Sequence, residues 1–438
     1  MLRRKFYGQL VEWKQNKGRE CLLVKGARQI GKTYIIDYFG KKDYEEYISI
    51  NFLEQPELKK IFEGSLEPEV IYKNISLYLK DVHFIEGNTL IFLDEIQACR
   101  AARTALKFLA IDQRYDVIAS GSLLGIHYKE DEENEEDYSI PVGYEREVEM
   151  CALDFEEYLW AMGVSEEAVG FLKQNFLEKK KIEPGTNEHF RKLFYEYMVV
   201  GGMPEVVNTF LETNNYQAVY ETQKKILKAY QADIEKYAKN TDIPKIKNIY
   251  YSIPRQLAKE YTKFQYKTVE KNGSARKYEN AIDWLIDAGM IKKVLNVSLP
   301  MLPLRAYEKP EEFKIYATDI GLTMAMFGYE TQRALLKGEF SGPAKGGLFE
   351  NLIFDVLIKR GVSVNYYKKP DSTQEIEFLF EKDGAAIPVE VKSGRGETIS
   401  LNEFMEKYKP PYAYKLTAGN IGVVENKISM PQYMAMFL

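Results

Sequence analysis

Residues 26–33 read Gly-Ala-Arg-Gln-Ile-Gly-Lys-Thr, which fits the phosphate-binding loop pattern G-x-x-x-x-G-K-[ST] in full. The chemistry this spacing serves is capture of a polyphosphate. Gly26 and Gly31 let the chain turn and approach the phosphates, and the backbone of Ala27, Arg28, Gln29 and Ile30 supplies the cradle between them. The Lys32 ammonium would reach the β and γ oxygens, and the Thr33 hydroxyl would hold Mg²⁺. The expected cofactors are ATP and Mg²⁺.

A second group of reactive residues lies at 88–97, NTLIFLDEIQ, an apolar run that ends in the adjacent carboxylates Asp94 and Glu95. Two acids closing a buried strand are costly unless they act on something. In ATPases with a phosphate-binding loop the first acid anchors the metal shell and the second can polarise the attacking water. Asp94 is therefore assigned to Mg²⁺ and Glu95 to general-base work. A third run, YDVIASGSLLG (115–125), ends in Ser120-Gly121-Ser122. Ser120 has two readings, a γ-phosphate sensor on the neighbouring strand or a plain turn serine.

These residues need strands and helices to hold them. ECLLVKG (20–26) suits a buried strand, and KTYIIDYFG (32–40) has helical spacing with Gly40 as an expected C-cap. Strands alternating with helical segments predict an α/β, doubly wound parallel sheet whose ligands sit at the carboxyl ends of the strands.

At 438 residues the chain is too long for one core. Its three cysteines, Cys21, Cys99 and Cys151, lack CxxC spacing, which speaks against a disulfide framework or a thiolate zinc site and for a reducing cytoplasm. His83, His127 and His189 have no ligand partners nearby in sequence. No apolar stretch is long enough to span a bilayer, so no membrane partner is expected. The formal charge is −5, but KEDEENEEDY (129–138) alone contributes −6. That run reads as a solvated loop, with an electrostatic gate over the nucleotide or a decoy for a basic partner as the alternatives.

Beyond about 150 the pattern becomes helical, with LDFEEYLWAMG and HFRKLFYEYMVVGG separated by KKKIEPGTNE as an expected loop, then the turn GGMPEVV and one long helix over 215–239. Residues 236–280 hold eleven Lys/Arg against four acids. IPRQLAKEY (253–261) reads as a first helix, NGSARKYENAIDWLIDAGM as a second with Ser274 as N-cap, and IKKVLNVS as a wing strand. A winged helix-turn-helix would present Arg276, Lys277 and Asn280 to double-stranded DNA, and the same module also serves as a protein-contact lid.

In the last part, a helix carrying Glu350 (346–361), a strand carrying Glu377 (374–380) and a strand carrying Glu390 and Lys392 (386–394) follow the order of a PD-(D/E)xK nuclease. The three carboxylates would hold metal, and Lys392 would position or activate water. The expected domains are a P-loop ATPase at 1–160, a helical lid at 161–235, a winged helix at 236–310 and a restriction-endonuclease-like α/β domain at 311–438.

The stretches LLVKGARQIGKT, LIFLDEIQ, VIASGS, LDFEEYL, GGMPEVV, KIYATDIGL, GGLFENLIFDVL and IPVEVKSG together resemble a bacterial and archaeal family of AAA-type ATPases with a C-terminal domain of unknown function. The resemblance implies nucleotide roles for Gly26, Gly31, Lys32, Thr33, Asp94 and Glu95, and suggests Arg146 as a basic residue of the active site. It departs at Ser120, usually threonine in that family, and at Glu377, usually aspartate, which puts cleavage in doubt. The expectation is an ATP-dependent switch coupled to a DNA-binding winged helix and an inactive nuclease-like domain. The alternatives are an ATP-gated nuclease and a non-catalytic scaffold for a protein partner or self-association.

Overall fold

The computed structural model describes residues 2–16, 18, 20–122, 142–259, 263–369, 374–394 and 398–438. The acidic run 129–138 and His127 lie outside the described residues. The chain divides into two compact units, one of Arg4–Cys151 with Asp287–Gly289, the other of Met1–Arg3, Ala152–Ile286 and Met290–Leu438.

The first unit is built on five parallel strands, β1 (Cys21–Gly26), β2 (Glu46–Asn51), β3 (Thr89–Asp94), β4 (Asp116–Ser122) and β5 (Glu145–Glu149), in the order β2-β3-β4-β1-β5. The helices α1 (Lys5–Gln15), α2 (Lys32–Asp43), α3 (Pro68–Tyr78) and α4 (Arg100–Asp112) complete the doubly wound layering. β1 and β3 are buried along their whole length, which is why their central residues, Leu22–Val24 and Leu90–Leu93, are apolar without polar alternation. Leu23, Ile91, Leu93, Ala102, Leu106 and Ala119 pack into one core. Truncating a residue such as Leu93 to alanine would cost about 2–5 kcal/mol.

Because β4 lies between β1 and β3, the register sets Ser120 beside Val24 and Ala119 beside Leu93, while Asn51 sits beside Asp94. The polar ends of four strands therefore gather at one edge. α2 differs from expectation. It runs through Gly40 to Asp43, because Gly40 is used for close approach: a Cβ there would collide with the Tyr47 ring.

The second unit joins a helical array to a mixed eight-stranded sheet. Its strands are β6 (Ile291–Val297), β7 (Glu308–Ala317), β8 (Asn365–Lys368), β9 (Glu375–Lys382), β10 (Ala385–Val391), β11 (Ala413–Thr417), β12 (Gly422–Val424) and β13 (Lys427–Pro431). Their order is β12-β13-β11-β10-β9-β8-β6-β7. β6 and β7 pair antiparallel, and β6 continues the sheet through Asn296 against Tyr366 of β8.

Two local expectations change here. The segment 179–188 is a loop only to Glu183, since Pro184 opens the helix Pro184–Val200 from its first turn, where a missing N–H costs nothing. The helix ending in IPRQL starts ten residues earlier, at Ile243, and contains Pro254 in its interior. In the sequence that proline reads as a start signal; in the structure it withholds one hydrogen bond near the helix end. The helix Ala275–Asp287 buries Tyr278, Ala281, Ile282 and Leu285 and exposes Arg276, Lys277 and Asn280, as its periodicity predicts.

Candidate functional site

The octet links the carboxyl end of β1 to the start of α2. Gly31 has φ +89°, a left-handed conformation that a side chain would strain, and a Cβ on Gly26 would collide with the Met150 carbonyl and with Ile30 Cδ1. The two fixed glycines thus have separate physical reasons. The N-terminus of α2 has no side-chain cap and no acid in its first turn, so its N–H donors and partial positive charge are left for an anion.

Lys32 is buried and folds back onto the loop, its ammonium donating to the carbonyls of Gly26 (3.0 Å) and Ala27 (2.9 Å). Burial pushes its pKa down to about 8, against the pull of Glu95 and Asp94 and with Arg28 adding to the depression.

Asp94 is the hub of the strand ends. Its Oδ2 accepts from Thr33 Oγ1 (3.0 Å) and Asn51 Nδ2 (3.0 Å), and its Oδ1 accepts from the Glu95 N–H (3.1 Å) and from the Ser120 hydroxyl. Four donors from four chain segments hold a carboxylate that is 2% exposed. Ser120 therefore reaches the site through Asp94. Glu95 sits at φ +53°, a strained left-handed position for a non-glycine residue, and its carboxylate accepts the Gln97 side-chain amide.

Arg146 stands apart from this group. It is exposed on β5, in register with Leu22, four residues before Gly26, or about 13 Å along the strand. Arg103, on α4, is paired with Glu145 of β5 at 2.9 Å.

The second unit gathers another charged cluster. Glu377 Oε1 lies 3.7 Å and Glu390 Oε1 3.2 Å from Lys392 Nζ, while Glu377 Oε2 accepts from the Val391 N–H at 3.3 Å. Glu350 is held elsewhere in the cluster: its Oε2 accepts from Tyr316 OH (2.8 Å) and Lys314 Nζ (3.3 Å), and Lys314 also pairs with Glu375. Burial pushes the Glu377 pKa up to about 8, with Lys392 opposing and Glu350 and Glu390 adding. Lys314 is fully buried, yet its pKa is raised, because Glu350 and Glu375 outweigh the cost of burying its charge.

The expected metal set of Glu350, Glu377 and Glu390 is not assembled as such. Among the described residues no group of three or more His, Cys, Asp or Glu is arranged to hold a metal ion. The cations Lys314 and Lys392 stand among these carboxylates, and Lys392 is tied to two of them by ion pairs.

Comparison with known proteins bears on the first site. A family model described as "AAA domain" matches residues 18–159, the stretch that contains the octet, Asp94, Glu95 and Ser120. Residues 18–159 are a P-loop domain of the AAA type. Two further models match outside this AAA domain, a domain of unknown function (DUF8612) at residues 191–333 and another (DUF4143) at residues 345–433. No curated protein matches the chain.

Among solved structures, the Walker-type ATPase PABY2304 of Pyrococcus abyssi is 16% identical with TM-score 0.43, covering 75% of this chain and 96% of its own. AMPPCP-bound DnaA from Aquifex aeolicus is 12% identical with TM-score 0.30, covering 65% and 88%. The Thermotoga maritima RuvB Holliday junction branch migration motor is 13% identical with TM-score 0.28, covering 69% and 91%. Among the described residues, no helix is long and apolar enough to cross a membrane.

The residues present in the AAA domain fit Mg²⁺ and ATP. The uncapped helix start and the folded-back ammonium suit phosphate, and the Thr33 hydroxyl with the Asp94 carboxylate offers the hard oxygen donors that Mg²⁺ takes. Sequence reasoning missed Asn51 and Gln97. Asn51 had a visible signal, a polar residue ending the strand run EYISIN, where ligands of a parallel sheet gather. Gln97 had none, since only the turn after Glu95 brings its amide back to that carboxylate. In the second unit Lys314, Tyr316 and Glu375 were missed, because a lysine inside an apolar strand has no motif until its carboxylate partners are in place.

Proposed function

We propose that the chain is a Mg²⁺-dependent ATPase that works as a nucleotide-driven switch. The observation that carries this reading is the convergence of Thr33, Asn51, Ser120 and the Glu95 N–H on Asp94, directly beyond a loop whose lysine is folded onto its own carbonyls. Lys32 and the loop N–H groups, from Gly26 to Thr33, bind the phosphates. Thr33 and Asp94 would hold Mg²⁺, which would supply charge neutralisation to the phosphates when bound. Glu95 orients the attacking water and accepts its proton, and Ser120 acts by fixing Asp94. Arg146 is assigned to nucleotide held by a second copy of the chain, a role its exposure and distance from its own loop support.

In the second unit the proposed partner is double-stranded DNA, contacted through the winged-helix-like segment 236–310. Its helix Ala275–Asp287 keeps an apolar face inward and Arg276, Lys277 and Asn280 outward. Lys245, Lys247, Lys263 and Lys277 of the basic stretch form ion pairs with acids, so the contact is expected to rest on the other basic side chains. The nuclease-like part, 311–438, is proposed not to cleave, since lysines already neutralise its carboxylates.

The test is steady-state ATP hydrolysis with Mg²⁺, with and without duplex DNA, beside Lys32→Ala and Glu95→Gln. DNA-stimulated turnover that both substitutions abolish supports the switch. Tight ATP binding without turnover, and without salt-sensitive DNA affinity, would favour the scaffold. Metal-dependent DNA cleavage lost in Glu390→Ala and Lys392→Ala would favour the gated nuclease.

A further inference from the structure

Arg4 precedes α1, far from the loop in sequence, and its guanidinium spans two backbone carbonyls. One terminal nitrogen donates to the carbonyl of Ile30 at 3.1 Å, inside the phosphate-binding octet, and the other donates to the carbonyl of Cys151 at 2.5 Å. Cys151 ends the long run of the first unit, and the chain enters the second unit at Ala152.

The same segment touches the loop a second time. The Met150 N–H donates to the Lys25 carbonyl at 2.8 Å, and the Met150 carbonyl lies where a Cβ on Gly26 would fall. Residues 150–151 are thus applied to the octet at two points, at its first residue Gly26 by packing and at Ile30 through Arg4.

Past the crossing, the chain is fixed again within the second unit. The Leu153 N–H donates to the Gly202 carbonyl (2.8 Å), while the Leu153 carbonyl accepts from Tyr197 OH (2.9 Å) and Lys359 Nζ (3.2 Å). Lys359 also pairs with Asp355 (2.9 Å) and Asp319 (3.5 Å), and Gly202 N–H donates to Asp319. Segments that are distant in sequence, around Leu153, Gly202, Asp319 and Asp355, meet at this one buried node. Only two residues, Cys151 and Ala152, therefore separate a contact with the loop at Met150 from an anchor at Leu153.

We propose that Arg4 is a positioning residue that passes the nucleotide state of the loop to residues 150–153. The proposal rests on the nucleotide reading above. Phosphate entering the loop must take Lys32 from the carbonyls of Gly26 and Ala27, and Arg4 and Gly26 carry the resulting change in the loop to the crossing segment. An arginine is suited to this task, because its rigid fork reaches two acceptors at once and stays charged at any working pH, whereas a lysine presents one point of charge.

The test is hydrogen–deuterium exchange on the full chain, with and without Mg·ATP, following peptides that cover 26–33 and 150–155. Wild type is expected to gain protection in both. Arg4→Ala is expected to bind a fluorescent ATP analogue within about threefold of wild type and keep the change at 26–33 while losing it at 150–155. Arg4→Lys, which keeps the charge and most of the stem, is expected to retain part of the response and is the variant to use should Arg4→Ala fail to fold. A full response at 150–155 in these variants overturns the proposal, as does wild type that binds ATP with no change at 150–155. Wild type that binds no ATP overturns the nucleotide reading and this proposal with it.

Discussion

The Thr33 hydroxyl donates to the Asp94 carboxylate across 3.0 Å, joining the last residue of the octet to the last residue of β3. The two side chains proposed to share a Mg²⁺ ion are thus already adjacent, in a site where the protein's own ammonium lies on the loop carbonyls.

Removing either partner should appear first as a metal defect. Thr33→Ala and Asp94→Asn are expected to raise the Mg²⁺ concentration for half-maximal ATP turnover by about tenfold or more, as losing a direct oxygen donor does. Thr33→Ser keeps the hydroxyl and should stay near wild type. A Mg²⁺ titration of phosphate release at fixed ATP reads the effect.

The loop lysine predicts a pH dependence. Its pKa in the free protein is lowered to about 8, and bound phosphate would raise it, so nucleotide binding takes up a proton above that pH. Affinity for ATP should be flat below pH 8 and weaken above it, approaching about tenfold per pH unit. Equilibrium titrations from pH 7 to pH 9.5 check the sign, and Lys32→Ala should bind weakly without that bend.

Glu377 predicts a second one, on stability. Its folded-state pKa, about 8, lies above that of an unfolded glutamate, so the folded chain binds an extra proton between roughly pH 4.3 and pH 8. Stability from this group is present at low pH and lost as pH rises through that window. Glu377→Gln should raise the Tm by a few degrees at pH 8 and give little or no gain at pH 5. Thermal melts at the two pH values decide it.

Lys314 is the counter-charge on which the neighbouring carboxylates depend. Lys314→Met should destabilise by about 3–5 kcal/mol, because Glu350 and Glu375 would be left in the interior without their cation. Adding Glu375→Gln to that variant should recover part of the loss. Denaturant unfolding of the single and double variants measures both.

Much of the phosphate site could be read in the sequence because its chemistry is local. One octet carries the loop, and one apolar run fixes where Asp94 and Glu95 emerge. Asn51 and Ser120 depend instead on strand order, since β2 and β4 flank β3 on its two sides and so bring them to Asp94. Arg4 was harder still: an arginine near the start of the chain has no pattern that links it to Ile30. The E-x-K spacing in β10 does place Glu390 and Lys392 together, but it carries no information about Lys314, which comes from a different strand and changes what the carboxylates can do. Gly40 and Pro254 misled for a shared reason. Each is a local stop or start signal that tertiary packing overrode.

The most direct test of the central claim is to separate ATP binding from ATP hydrolysis in Glu95→Gln. The account predicts that this variant binds Mg·ATP about as tightly as wild type, by equilibrium titration, and releases phosphate at least about 100-fold more slowly in single turnover, because only the group that orients the water is altered. Hydrolysis at the wild-type rate in Glu95→Gln, or no ATP binding by wild type, would contradict it.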